Sequence, residues 1–243
     1  MKDCRTLNLL MRPGSPTLLV SLPANDVELA QAAVDGGAEG LKVHLNVQHA
    51  AAKVRFGTFT EERAALERII ALGLPVGIVP GDEAAMATPG ELSALAAMGL
   101  DFADAYLSAM PAWMLAQDDL SIMAAVGHDD MPHPERLRAL AQLPQVRMIE
   151  ASIIDHGGYG RALSASDLCD YTGVTRAMHC GGPDAQCGKP IIVPTQRRIL
   201  PEDLAALAAI GVRGLLIGAI VTGRDPDSLR LATARYREAL QHL

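Results

Sequence analysis

A lysine and a histidine interrupt an apolar segment of the sequence, and both residue types can move protons. In segment 41–46, Lys42, His44 and Asn46 alternate with apolar residues, so an extended strand would direct all three to one side. A desolvated lysine has a lowered pKa and can act as a Schiff-base nucleophile or proton carrier, and a histidine relays protons near neutral pH. We therefore interpret Lys42 and His44 as catalytic residues and Asn46 as a substrate-binding residue.

A carboxylate lies in a second apolar segment, 147–154, where Glu150 and Ser152 share one face of the strand. A carboxylate in such a place must be paired, hydrogen-bonded or protonated, and each option tunes its pKa for work as a general base. We expect Glu150 to be catalytic and Ser152 to contact the substrate. The alternative is structural: Lys42 forms a buried ion pair with Asp104 or Glu150 that holds the fold together.

Two loops that follow these segments carry candidate ligands for an anion. The first contains Lys53 and Arg55, and the second, 156–161, contains His156, Arg161 and three glycines. A glycine-rich loop of this kind can close over a ligand. All four side chains are expected to bind substrate, the alternatives being a solvated basic loop and a simple long connection.

The elements that would position these residues are eight short apolar runs separated by segments with helical spacing. Buried parallel strands have this near-continuous apolar character, and eight β-then-α units in 243 residues match a closed barrel of about 250 residues. The fold class is therefore α/β, with residues 1–243 forming a single-domain (β/α)8 TIM barrel of eight parallel strands. In such barrels the chemistry lies on the loops after the strands. The predicted strands are 18–22, 41–45, 76–80, 102–107, 121–126, 147–154, 190–194 and 214–221.

Glycines and capping residues indicate where the helices end and begin. A helix is predicted to end in a left-handed residue where a glycine precedes an apolar residue, because glycine adopts that conformation without a Cβ penalty. A helix is predicted to begin where Ser, Thr or Asp can cap it or where Pro can occupy its first turn. Between Tyr106 and Ser121 a short helix replaces a full one. The predicted ends are at Gly37, Gly73, Gly99 and Gly211, and the predicted starts are at Asp26, Thr58, Thr88, Pro134, Ser166, Pro201 and Asp225.

The last quarter of the chain resembles the phosphate-binding (β/α)8 barrels, a group that includes histidine- and tryptophan-biosynthesis isomerases, sugar-phosphate epimerases and aldolases. The resemblance lies in the runs 189–204 and 211–223, with the order strand, turn, helix, strand and Gly-Ala-Ile. It implies that a phosphate is held after strands seven and eight by the backbone N–H groups of a short helix. Where the group usually has a glycine pair, this chain has Pro194, which lacks an N–H, so side chains would have to donate instead. The implied phosphate-binding residues are Thr195, Gln196, Arg197, Gly218, Ala219 and Ile220.

Two sets of residues have metal-ligating types, and we expect neither to hold a structural metal. Cys169, His179, Cys180 and Cys187 have irregular spacing and precede strand seven, at the stability end of the barrel. The second set follows predicted strands and consists of His128, Asp129 and Asp82. These residues are either helix-capping acids in solvated loops or ligands of a divalent cation.

Composition limits the classes of partner. A net charge of −7 disfavours nucleic acid, which requires a basic surface, but permits a small anionic substrate. The first residues lack the apolar core of a signal peptide, and no 18 apolar residues run together. Four cysteines in a chain with a large core suit a reducing compartment. We expect a cytoplasmic homo-oligomer without membrane contact.

These observations predict an enzyme of the lyase or isomerase/epimerase type that acts on a small phosphorylated carbonyl compound. Lys42 would activate or protonate the carbonyl, Glu150 would move the α-proton, and His44 would assist. No cofactor is expected. The alternatives are a divalent-metal-dependent barrel enzyme and a catalytically silent ligand-binding barrel, because this fold carries many functions.

Overall fold

The structure, a computed structural model, describes residues 3–179 and 188–243. Eight parallel strands close into a barrel in the order β1-β10-β9-β8-β7-β6-β5-β2, which confirms the predicted (β/α)8 barrel. The barrel strands are β1 (Thr17–Ser21), β2 (Gly40–His44), β5 (Val76–Val79), β6 (Phe102–Tyr106), β7 (Ser121–Gly127), β8 (Val146–Ser152), β9 (Ile191–Pro194) and β10 (Gly214–Ile217), and β3 (Gln48–His49) pairs with β4 (Val54–Arg55) in a separate antiparallel hairpin.

Helices occupy the connections between strands, as the repeat predicts. The α-helices are α1 (Arg5–Leu10), α2 (Val27–Asp35), α3 (Phe59–Ile70), α4 (Pro89–Met98), α5 (Pro134–Ala141), α6 (Ala165–Met178), α7 (Leu204–Ala209), α8 (Ala219–Thr222) and α9 (Pro226–Gln241), and short 3-10 helices cover Ala112–Ala116, His128–Asp130, His156–Gly158 and Pro201–Asp203. The 3-10 turn at Ala112–Ala116 confirms the short helix expected after β6. None of the helices in the described part of the chain is both long enough and apolar enough to cross a membrane.

The predicted helix boundaries are largely confirmed by backbone geometry. All four junction glycines have positive φ, between 89° and 108°, a region that costs a residue with a Cβ atom. Thr58 and Thr88 each form a capping box with the glutamate three residues later. One predicted start is wrong: α6 is capped by Ser164, not Ser166, because the Ser164 hydroxyl accepts the Asp167 N–H in a capping box.

The predicted last strand is also four residues too long. β10 ends at Ile217, and the apolar residues that follow belong to the short helix α8. Continuous hydrophobicity alone cannot separate a buried strand from a buried helical turn. The difference matters because it places the amide groups of Ala219 and Ile220 at a helix start.

Apolar side chains fill the lower end of the barrel. At this lower end, Leu10 of α1 packs with Phe102, Met123 and Met148 in a buried cluster. Gly77 of β5 faces this cluster, where an added Cβ would lie 1.9 Å from the Phe102 ring. The N-terminal helix thus closes the bottom of the barrel, leaving the carboxyl ends of the strands as its open mouth.

Candidate active site

A cavity of about 280 Å³ lies at the mouth of the barrel, formed by the carboxyl ends of the strands and the loops that follow them. Its size is near the lower end of small-molecule sites. It brings together residues predicted from five separate strands or loops. The predicted residues that line it are Lys42, His44, Glu150, Ser152, His156, Thr195, Gln196, Gly218, Ala219 and Ile220, with Asp82 also present.

At the floor of the cavity, Lys42 bridges two carboxylates. Its Nζ donates to Oδ2 of Asp104 at 3.0 Å and to Oε2 of Glu150, and the Ser152 hydroxyl donates to Oε1 of Glu150 at 2.7 Å. The three charged residues are between 1% and 5% exposed. Both partners that the structural interpretation of Lys42 proposed as alternatives therefore contact it at once.

The electrostatics of this cluster correct one expectation. Burial lowers the pKa of Lys42, but the negative charges of Glu150 and Asp104 outweigh burial and raise that pKa above its usual value. Lys42 is therefore an ammonium ion and not the neutral amine that a Schiff-base nucleophile requires. Burial and the charge of Glu150 raise the pKa of Asp104. Burial acts to raise the pKa of Glu150 as well, but the charge of Lys42 and hydrogen bonds from Asp104, Lys42 and Ser152 outweigh burial and lower that pKa.

Next to this cluster, the buried His44 and the half-buried His49 form a pair held uncharged. Their rings meet edge to face with centroids 4.6 Å apart, and Phe56 lies 4.6 Å from the His44 ring. Burial and then neighbouring positive charge lower the pKa of His44 well below 6.5, and burial followed by the charge of Lys42 lowers that of His49 to about 4. Nδ1 of His44 is buried and has no hydrogen-bond partner in the described protein.

Two tyrosines at the cavity were not predicted from the sequence. Gln196 Nε2 donates to the Tyr159 hydroxyl at 2.7 Å, and the Tyr106 hydroxyl lies within hydrogen-bonding reach of both Tyr159 and Ser152. A continuous polar path thus runs from the loop after β8 to Glu150. The signal in the sequence was the alternation of Asp104 and Tyr106 along β6, which repeats the spacing of the predicted polar residues of β2.

Backbone amide groups line the part of the cavity formed by the ends of β9 and β10. The Gly218 N–H donates to the Thr195 hydroxyl at 3.0 Å, and α8 begins at Ala219. The first amide groups of a helix have no intrahelical acceptor, and Ala219 and Ile220 line the cavity. Pro194 ends β9 with no N–H to contribute.

Five predicted ligands do not line the cavity. Arg197 instead donates to Asp167 and to the Gly158 carbonyl, and the Asn46 amide donates to the Pro80 carbonyl at 3.0 Å. Arg55 lies 3.5 Å from Glu61, and, like Lys53 and Arg161, it is exposed. The strand and loop positions were right, but local acceptors and solvent are closer to these long side chains than the cavity is. The five residues are Asn46, Lys53, Arg55, Arg161 and Arg197.

The metal-ligating sets do not converge on this cavity. Within residues 3–179 and 188–243, no group of three or more His, Cys, Asp or Glu side chains has the geometry to hold an ion, and His128 and Asp129 do not line the cavity. Cys180 and Cys187 lie outside the described residues, so the expectation that their set binds no zinc remains a prediction.

Comparisons with known proteins add information on the fold. No protein-family model matches the sequence, and no curated protein matches it either. Phosphoribosyl anthranilate isomerase from Thermus thermophilus superposes with a TM-score of 0.61 at 16% identity, covering 91% of this chain and 98% of that one. A phosphoribosyl anthranilate isomerase bound to reduced 1-(o-carboxyphenylamino)-1-deoxyribulose 5-phosphate gives 0.57 at 13%, covering 92% and 99%.

A third structure extends the comparison to another reaction. Dihydropteroate synthase from Thermus thermophilus, in complex with 4-aminobenzoate, has a TM-score of 0.57 at 17% identity, and 96% of each chain is covered. Identities this low show likeness of fold alone. The (β/α)8 fold of these structures therefore matches nearly the whole chain.

Proposed function

We propose that this protein is an enzyme of the isomerase or lyase type that acts on a small phosphorylated carbonyl compound. The observation that carries the proposal is the buried ammonium of Lys42 between Asp104 and Glu150 at the floor of the mouth cavity. Burying such a cluster has a large desolvation cost, and its position at the catalytic end of the barrel favours a chemical role. The fold-level likeness to an isomerase is an analogy that agrees with this class.

In the proposed reaction, Glu150 takes the proton from the carbon next to the substrate carbonyl. The electron pair of that C–H bond moves toward the carbonyl oxygen, and the developing negative charge faces the Lys42 ammonium. An ammonium has three N–H donors, of which two contact the carboxylates, so one remains for the substrate oxygen. Lys42 therefore acts by electrostatic stabilisation and not as a covalent nucleophile.

The fate of the enolate then decides the class of reaction. Returning the proton to the former carbonyl carbon gives an isomerase, and losing a leaving group from the next carbon gives a lyase. The neutral His44 assists by hydrogen-bonding the substrate through its buried, unpartnered Nδ1, and Ser152 and His156 line the same space.

The phosphate end of the substrate is proposed to lie at Thr195, Gly218, Ala219 and Ile220. Lys42 is the sole lysine or arginine among the described lining residues, so the phosphate would be held by N–H groups and a hydroxyl. Inorganic phosphate at tens of millimolar should raise the melting temperature by preferential binding to the folded state. Ala219→Pro should abolish most of that rise, because proline at the first helical position keeps the helix but removes one N–H donor.

The matched control for this variant is Ala165→Pro at the first position of α6, where Ser164 is the N-cap and the residue is exposed outside the cavity. Melting curves of both variants are recorded with phosphate and with chloride at equal ionic strength. Equal phosphate stabilisation in the two variants would contradict the assignment of the phosphate to this helix start.

Proton abstraction can be tested before the substrate is known. The protein is incubated in D2O with phosphorylated aldoses and ketoses of three to five carbons. We expect it to replace an α-proton of one of these compounds with deuterium, which proton NMR detects as a loss of signal. Glu150→Gln should slow this exchange about 10²–10⁴-fold, the usual contribution of a general base. Exchange by the Glu150→Gln variant at the wild-type rate would exclude Glu150 as the base. Phosphate binding without exchange of any compound would favour the silent ligand-binding barrel instead.

A further inference from the structure

The charges at the floor of the cavity do not balance if every group has its usual ionisation. Lys42 supplies one positive charge, and Asp104 and Glu150 would supply two negative charges, all within the same buried cluster. The described lining residues include no other lysine or arginine. Asp82 lies at the rim, where its Oδ1 accepts the Ala84 N–H at 2.9 Å. One buried carboxylate would therefore lack a counter-ion, which costs several kcal/mol.

Hydrogen bonding distinguishes the two carboxyl groups. Both oxygens of Glu150 have donors, Lys42 for Oε2 and the Ser152 hydroxyl for Oε1. Asp104 accepts a hydrogen bond from Lys42 at Oδ2, and no donor reaches its buried Oδ1 in the described protein. An ionised oxygen in that position would lose its hydration without compensation, whereas a protonated oxygen is neutral and becomes a donor. The Asp104 carboxyl group also lies within hydrogen-bonding reach of Glu150, a contact that requires a proton on one of the two. The arrangement thus favours the proton on Asp104 and the negative charge on Glu150.

We propose that Asp104 and Glu150 together hold one proton, that it resides on Asp104, and that Asp104 donates it to an uncharged ligand oxygen in the cavity. The placement of the proton concerns the free protein, and the donor role rests on the proposed function. During enolisation Glu150 gains the proton from carbon while Asp104 gives its proton to the carbonyl oxygen, so the product is a neutral enediol and the cluster keeps one proton. Asp104 is then a further catalytic residue.

The groups that face Asp104 from the neighbouring strands agree with this placement. Among the described lining residues, Lys42 of β2 is the one lysine or arginine. Glu150 of β8 adds negative charge that disfavours a second carboxylate, and Tyr106 lies two residues further along β6. Burial and the charge of Glu150 raise the pKa of Asp104, in the direction that retains a proton at neutral pH, and burial followed by the same charge raises the pKa of Tyr106. His44 is uncharged and contributes no compensating positive charge.

Infrared spectroscopy of the free protein tests the placement of the proton. At neutral pH the wild type should show the C=O stretch of a buried protonated carboxyl, and Asp104→Asn should lose that band while keeping its melting temperature close to the wild-type value. A neutral amide replaces a neutral acid there. Asp101→Asn is the matched control: Asp101 is also buried, but both of its oxygens accept N–H groups from the N-terminal helix, and this variant should retain the band.

Each other outcome overturns the proposal or one part of it. A wild type without the band, or an Asp104→Asn variant that retains it, excludes the proton on Asp104, and so does an Asp104→Asn variant that unfolds while Glu150→Gln remains stable. For any compound that exchanges in D2O, Asp104→Asn should slow exchange about 10²–10⁴-fold; an unchanged rate refutes the donor role. The infrared band can be measured without a substrate. If the band is present but no compound exchanges its α-proton in D2O, the proposed function is refuted and the placement of the proton on Asp104 is not affected.

Discussion

Lys42→Met is expected to lower the free energy of unfolding by about 3–5 kcal/mol, the usual cost of removing one partner from a buried ion cluster. The variant leaves Asp104 and Glu150 facing each other without a cation, where Lys42 now contacts both. Since Glu150 can take up a proton and so remove the unpaired charge, the loss should shrink as the pH falls. Urea titrations at pH 5 and pH 8 measure this difference.

The double variant Lys42→Met/Glu150→Gln separates the loss of charge balance from the loss of packing. If Asp104 carries the proton, the double variant has an uncharged floor, and it should recover most of the stability that Lys42→Met loses. Glu150→Gln alone should fall between the wild type and Lys42→Met, because Asp104 can ionise and replace Glu150 as the partner of Lys42. A double variant no more stable than Lys42→Met would show that methionine packs badly there and that charge is not the cause.

The second large effect is a loss of stability in mild acid caused by the two neutral histidines. Their pKa values lie below 6.5 in the folded protein, His44 well below and His49 at about 4. The unfolded chain therefore binds more protons than the folded one once the pH drops below about 6.5. Below about pH 6.5 the free energy of unfolding should fall by about 1.4 kcal/mol per pH unit for each such histidine. Above that pH the contribution of the two neutral histidines to stability is fully present.

Comparing variants isolates this contribution from that of the carboxylates. His49→Asn should reduce the slope by about one proton between pH 6.5 and 4.5, or about 3 kcal/mol across that range. Asparagine can keep an acceptor for the Ala52 N–H, which His49 Nδ1 now accepts at 3.0 Å. His44→Asn should remove a similar slope. If the free energy of unfolding falls with pH at the same slope in the wild type and in both variants, the neutral state of His44 and His49 is refuted.

The sequence by itself determined the architecture and the strand ends that line the cavity. Eight apolar runs and four junction glycines are local signals, since burial on both faces and a positive φ restrict residue types at single positions. The same reasoning placed Lys42 and Glu150 at one end of the barrel, because a polar residue within a buried strand stands out from its neighbours. The alternation of Asp104 and Tyr106 carried equal information along β6.

Only the tertiary structure decided the state and the partners of those groups. The pKa of Lys42 is raised because carboxylates from two other strands surround it, and those contacts join residues 62 and 108 positions apart in the chain. The long cationic side chains lie away from the cavity for a similar reason: the acceptor that Arg197 contacts depends on where α6 places Asp167. Side-chain reach and charge balance are properties of distances between strands, and a linear pattern does not contain those distances.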